Sequence, residues 1–453
     1  MKISSEADVQ NKQPCKSAGV GLAGIAGLIS WFDKDHLIRH SSLLMLSSLL
    51  GSGLNLVFQM VMGRCLTEEE FGAVGALLGL FFLVSIPAGA IQMCMANYTA
   101  KARASDGQIC MEPIIRFMVR VIIPIVIITV VLILAFVHEI SSGLRFTSNV
   151  PVILVLVLMV ATLCAQIPSG MVQGLQYFGT MSISGILSSL AKVVTCYVMI
   201  LIGFRISGPL IASIVMMLVF LVITVIKIRR DVVFGLSIDK VAKEFREIFD
   251  YFLPVLIAIG IITVYMYFDM VLARYVFEPH TAGLYIQAGS IARIVGFIAG
   301  TILTAMFPKV VNAVSRNEDC RLLFVRSMLL SMLVVLSISL SCCLFPSVLA
   351  KIIFKTSSAE LDQLIRYSVI AFIPVPLFNL LLFFLMARRI FRFLIIQLII
   401  CSAYILVLLI NRPTVNQMLT AIGVFSLAAF LVAMYYSIRS LGAQPAAQER
   451  DVL

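Results

Sequence analysis

Runs of about 20 consecutive apolar residues recur along this chain of 453 residues, each long enough to cross the ~30 Å hydrocarbon core of a bilayer. Lipid offers the backbone no hydrogen-bond partner, so such runs must be helices. Composition agrees: 61% of residues are hydrophobic and 13% charged, against about 25% charged in soluble domains. The sequence therefore predicts an all-α integral membrane protein. We place twelve spans, at 41–63, 72–98, 116–137, 150–172, 179–203, 208–227, 250–273, 282–308, 325–347, 366–387, 391–410 and 415–437.

The net charge is +11. It implies no nucleic acid, because the basic residues follow topology. Both tails and the even-numbered connections hold 24 Lys and Arg, and the odd-numbered connections hold 8. That asymmetry puts both termini in the cytoplasm. The ten cysteines form no CxxC and no zinc spacing, so neither a disulfide framework nor a metal site is expected. The apolar run Ala18–Ile29 follows Lys12 and Lys16 but precedes no small-x-small cleavage site. We read it as an interfacial segment.

The first connection, LVFQMVMGRCLTEEEFGAVGALL at 56–78, packs Arg64 and Glu68, Glu69 and Glu70 between two apolar runs. Carboxylates ahead of a helix suit its positive end, so a polar hairpin is the plain reading. The turn has an echo in VLARYVFEPHTAGLYIQAGS at 271–290. Arg64 to Gly72 becomes Arg274 to Gly283, which aligns span one with span seven. The expected layout is two six-helix lobes, 41–227 and 250–437, with 1–40 before them and 438–453 after. Paired repeats of this kind commonly hold a binding site between them near mid-membrane. The connection 228–249 carries Phe234, Ile238, Val241, Phe245, Ile248 and Phe249 at helical spacing, an amphipathic interfacial helix.

Two basic residues fall near mid-span, Lys192 in span five and Arg293 in span eight. Each costs about 2.5–3.5 kcal/mol at the bilayer centre. Lys192 shares a face with Gly185, Ser188, Ser189 and Thr195, and Arg293 with Gly289, Gly296, Gly300 and Thr304. Stripes of small and polar residues pack on helices or line cavities. One reading is a water-filled cationic cavity for an anionic substrate, extended outward by Arg64 and Arg274, which equally suit headgroup anchoring. The other is structural pairing with a carboxylate. Asp269 in span seven is the acidic residue within a span, and it suits either a coupling Na+ or H+ or a pairing with Arg274. Pro87, Pro124, Pro168, Pro254, Pro308, Pro374 and Pro376 interrupt spans, as gating or static bends. Tyr265, Tyr267, Tyr285, Tyr367 and Tyr404 suit packing better than sugar platforms.

VFQMVMGRCLTEEEFGAVGALL followed by SIPAGAIQMCMANYTAKA resembles the first two helices of polysaccharide-export flippases. MVQGLQYFGTMSISGILSSLAKVVTCYVMILIGFRISGPLIA, with its turn Gln173–Phe178, resembles their helices four to six. AGLYIQAGSIARIVGFIAGTILTAMFPKVV resembles helix eight, ending at Pro308. The resemblance covers about 40–437 and points to the MOP superfamily: Wzx-type flippases, lipid II flippases and MATE exporters. It implies two lobes around a cavity that opens to each side in turn. It further implies a cationic wall, with Lys192 and Arg293, for the diphosphate or acidic sugars of an undecaprenyl-linked glycan. Other partners would be membrane lipids, the state a monomer, and the site a bacterial cytoplasmic (inner) membrane. Asp269 matches the sodium-site carboxylate of lipid II flippases, but spans eleven and twelve offer only Asn416, Thr420 and Ser426 beside it. Twelve spans rather than fourteen favour the Wzx type. The competing readings are a lipid II flippase, a MATE-like exporter of cations, which would need acidic groups at mid-membrane, a glycan polymerase or ligase, which would need larger outer loops, and a scaffold without transport activity.

Overall fold

The structure, a computed structural model, describes residues 36–104, 112–146, 148–229, 241–315, 319–355, 357–411 and 413–442. The stretch Ala18–Ile29, the linker residues Phe234 and Ile238, and the chain beyond 442 lie outside these. Residues 43–453 form one compact unit.

The first half comprises α1 (His36–Cys65), α2 (Glu68–Val84), α3 (Ile86–Ala104), α4 (Glu112–Ala135), α5 (Val137–Gly143), α6 (Val150–Gly174), α7 (Phe178–Leu201) and α8 (Ser207–Ile228). The second comprises α9 (Val241–Val276), α10 (Pro279–Ser315), α11 (Arg321–Leu344), α12 (Pro346–Phe354), α13 (Ala359–Phe372), α14 (Pro374–Ala387), α15 (Phe393–Asn411) and α16 (Val415–Gly442). Ten candidate spans are long and apolar enough to cross a membrane, and two bent pairs bring the number to twelve. One is α2–α3, bent by 47° at Ser85 just before Pro87. The other is α4–α5, bent by 60° at Phe136. Proline is tolerated in a helix's first turn because its missing N–H is unbonded there anyway, so Pro87 and Pro374 restart helices.

The opening turn is built as its charges suggest. The Thr67 side chain accepts from the Glu70 amide and the Glu70 carboxylate accepts from the Thr67 amide, a capping box that starts α2. Glu70 also meets Arg205 at 2.6 Å, and Glu68 meets His280 at 3.0 Å. The second contact joins the two halves. So do the two glycines of the echo. A Cβ on Gly72 would lie 2.7 Å from the Gly283 Cα, and one on Gly283 would lie 2.4 Å from the Glu68 carbonyl oxygen. Below them Phe82 stacks on Tyr267 with ring centroids 4.1 Å apart. The halves thus meet chiefly through α2 and α3 on one side and α9 and α10 on the other.

The echo runs further than the sequence suggested. Spans three and nine are each followed by a short helix, α5 and α12. Each of these gives way to a basic residue with left-handed backbone, Arg145 (φ 58) and Lys355 (φ 70). Several boundaries shifted, two of them informatively. The tenth span begins at Ala359 rather than 366, capped by the Ser358 side chain, which accepts from the Leu361 amide; Glu360 and Asp362 in its first turn read as loop by hydropathy. The linker helix is continuous with span seven, so that α9 is one helix of 36 residues. Gly283→Val should wedge α2 from α10 and destabilise the fold by roughly 1–3 kcal/mol, as overpacking does. A thermal-unfolding midpoint in detergent equal to wild type would mean that the two helix ends are not in contact.

Candidate functional site

Arg293 and Asp269 find each other. The Arg293 Nη2 donates to both Asp269 carboxylate oxygens, at 2.6 and 2.7 Å, and Nε donates to the Met266 carbonyl at 2.6 Å. Tyr285 donates its hydroxyl to Asp269 at 2.9 Å. Asp269 is 0% exposed and Arg293 3%, with the guanidinium over the Phe372 ring. Arg293 thus follows the pairing reading, and the two charges offset each other within the fold, while its Nη1 is buried without a hydrogen-bond partner among the described residues. Asp269 pairs with Arg293 rather than with Arg274, both carboxylate oxygens accepting. The reach follows from helix direction. α9 and α10 run antiparallel, and side chains lean toward the N-terminus of their own helix. Arg293 therefore leans toward the turn and Asp269 away from it, which closes a depth gap of about 10 Å. Gly289 makes the path: a Cβ there would lie 2.5 Å from Arg293 Nη1.

Arg64 and Arg274 are engaged too. Arg64 donates from Nε and Nη2 to the Ile352 carbonyl at 3.0 and 2.6 Å. Arg274, 6% exposed, donates from Nε to the Leu144 carbonyl at 3.2 Å. Both bonds cross between the halves. Neither side chain lines the cavity between α1 and α10, so the expected outward extension of a positive substrate wall is not what these groups make.

Lys192 on α7 is different. It is half-buried, 3.7 Å from the centroid of the Phe58 ring and 3.4 Å from Asn55 Oδ1. No carboxylate pairs with it among the described residues. Asn55 in turn lines that cavity, which holds about 240 Å³ between the halves. One wall is α1, with Ser52, Asn55 and Gln59; the other is α10, with Ile294, Phe297 and Ile298. Lys192 stands one side chain behind the α1 wall. The Gln59 Oε1 is buried without a hydrogen-bond partner. The exposed lining is mainly apolar, with the Phe297 ring on the α10 side, as in most ligand pockets. Sequence reasoning missed Ser52, Asn55 and Gln59, although their spacing of three and four puts them on one face of α1. Tyr265, Tyr285 and Tyr404 are fully buried, packing groups as expected.

Residues 37–314 match a family described as polysaccharide biosynthesis protein. The chain belongs to that family. No curated protein matches it. Its fold is similar to solved MATE transporters. An inward-facing multidrug-resistance MATE transporter of the MOP superfamily superposes with a TM-score of 0.67 at 14% identity, over 89% of this chain and 99% of that one. The eukaryotic MATE transporter AtDTX14 gives 0.69 at 14% identity, over 92% and 100%. An outward-facing MATE transporter gives 0.66 at 14% identity, over 92% and 98%. This member of the polysaccharide biosynthesis family is thus a multi-pass membrane protein with the fold of the MATE transporters. The inward- and outward-facing scores do not separate the two states.

Asp269→Asn should strand a buried guanidinium and destabilise the protein by about 3–5 kcal/mol. The double variant Asp269→Leu/Arg293→Met should recover most of that loss in thermal unfolding. Equal stability of wild type and Asp269→Asn would refute the pairing.

Proposed function

We propose that the protein is a flippase for an anionic, undecaprenyl diphosphate-linked oligosaccharide. It moves the glycan from the cytoplasmic to the outer leaflet of a bacterial cytoplasmic membrane, with both termini of the protein in the cytoplasm. The observation that carries the reading is Lys192: a mid-span ammonium without a carboxylate among the described residues, bonded to a residue that lines the cavity between the halves. An intramembrane cation left unpaired is a functional group by default. The family match supports a glycan, and the sign of the charge is compatible with its diphosphate. A cation exporter would need a free carboxylate in the same region, and Asp269 is neutralised by Arg293.

The reading has a mechanism. The cavity is smaller than the ~300–1,000 Å³ of ordinary ligand pockets, so the halves must part to admit a glycan. The ammonium then leaves Asn55 for phosphate oxygens. Ser52, Asn55 and Gln59 meet sugar hydroxyls, Phe297 meets a ring face, and the prenyl tail stays in lipid. Rocking of one half against the other exposes the load to the far side. One chain supplies both walls, so a monomer suffices. The domain scheme carries over as two six-helix lobes, 41–227 and 250–437.

The test is surface glycan, measured at matched protein levels. Lys192→Gln should cut export at least tenfold, and Lys192→Arg should keep most of it. Asn55→Asp should lower export comparably by capturing the ammonium in an ion pair. Full export from Lys192→Gln would overturn the proposal.

A further inference from the structure

We propose that Arg64 and Arg274 form a reciprocal pair of latches that hold the Arg64 face of the transporter shut, and that both must release before the cavity can open to that face.

The pair is symmetric in topology, although Arg64 is exposed and Arg274 buried. Arg64 ends α1 in the first half and bonds to Ile352, in the last turn of α12 in the second half. Arg274 lies in the last turn of α9 in the second half and bonds to Leu144, the residue that closes α5 in the first half. Spans one and seven supply the arginines; the short helices after spans three and nine supply the acceptors. The last carbonyls of a helix have no partner within it and carry the negative end of its dipole, so each short helix presents a natural seat for a guanidinium. The seats are packed as well as bonded. A Cβ on Gly63 would lie 2.5 Å from the Phe354 ring, and Phe71 meets that ring edge-on at 5.3 Å. On the other side a Cβ on Gly143 would lie 3.3 Å from Tyr275, and the Arg274 guanidinium sits beside Phe146.

The chemistry of the acceptor makes the contact reversible. Parting Arg293 from Asp269 would strand two buried charges. Parting an arginine from a carbonyl leaves a single charge at a helix end and strands no carboxylate; Arg64 is already exposed, and Arg274, buried here, gains water as the halves part. Because both bonds span the same two halves, one tilt must break both. Their effects on opening should therefore multiply: about tenfold for each, or ~1.4 kcal/mol, and about a hundredfold together.

The inference rests on the transporter reading only for the claim that opening serves transport; the latches themselves are tested without substrate. Native Cys65, next to Arg64 and half-buried, reports on this face. In full-length protein with the other cysteines replaced by serine, the rate of Cys65 reaction with a membrane-impermeant maleimide is measured in right-side-out and in inverted vesicles. Arg274→Ala, remote from Cys65 in the chain, should raise the rate about tenfold from one side only. Arg64→Ala/Arg274→Ala should raise it about a hundredfold, and Arg274→Lys should fall between wild type and Arg274→Ala. Unchanged labelling in Arg274→Ala and in the double variant would overturn the proposal. A double variant no faster than the faster single would also overturn it, since the two bonds would then not open together. A Gly143→Cys/Tyr275→Cys disulfide covers the case in which the alanine variants fail to fold. It should hold Cys65 labelling at or below the wild-type rate and restore that rate on reduction; free labelling with the disulfide formed would equally refute the latches. Loss of glycan export in Lys192→Gln is read separately, so a failed substrate assignment leaves the labelling result standing.

Discussion

The cost of holding charge in hydrocarbon governs this structure, and four basic residues near or within the spans answer it with three kinds of partner. Arg293 takes a carboxylate and joins α9 to α10 as an internal seam of one half. Arg64 and Arg274 take carbonyls of the opposite half. Lys192 takes an amide oxygen and an aromatic face. The order of partner strength, from full charge to amide dipole, is also an order of permanence. The strongest partner builds a half; in the proposed mechanism the intermediate ones hold one half on the other and the weakest releases an ammonium to the ligand. A charge-assisted bond to a dipole is worth about 1.5–3 kcal/mol, enough to bias a conformation and small enough to be reversed by a ligand.

Much of this architecture was legible in the sequence, because hydropathy is read over windows of about the length of a span. The twelve spans and the doubling of the Arg–turn–Gly motif came directly from such windows, and the motif proved to mark a real contact, with Gly72 against Gly283. Boundaries failed where local chemistry overrode hydropathy. Glu360 and Asp362 belong to a helix's first turn, where its dipole welcomes them, yet a hydropathy window counts them as loop.

The site was less legible, for a reason that applies residue by residue. A sequence shows that Arg293 falls at mid-depth but not what faces it, and by rise per residue alone Asp269 lies about 10 Å nearer the turn. Side-chain lean along antiparallel helices closed that gap, with Gly289 as the trace left in the sequence. The acceptors at Ile352 and Leu144 are backbone carbonyls, which every residue has, so no residue type could have marked them. Asn55 and Gln59 were visible as polar residues on one helical face and were passed over because neither is charged.

The continuous helix α9 carries a mechanical consequence. Its 36 residues extend about 54 Å, against a hydrocarbon thickness near 30 Å, and α10 beside it is of similar length. Held near the membrane normal, roughly 20 Å of this helix, with Pro254 within it, overhangs the slab on the side remote from Arg64. A rod pivoting inside a membrane sweeps its free end furthest, so a tilt of a few degrees at the lobe seam becomes a displacement of an ångström or more at the overhang. Small angular changes where the cargo binds are thereby geared up into a widening of the vestibule at the opposite mouth.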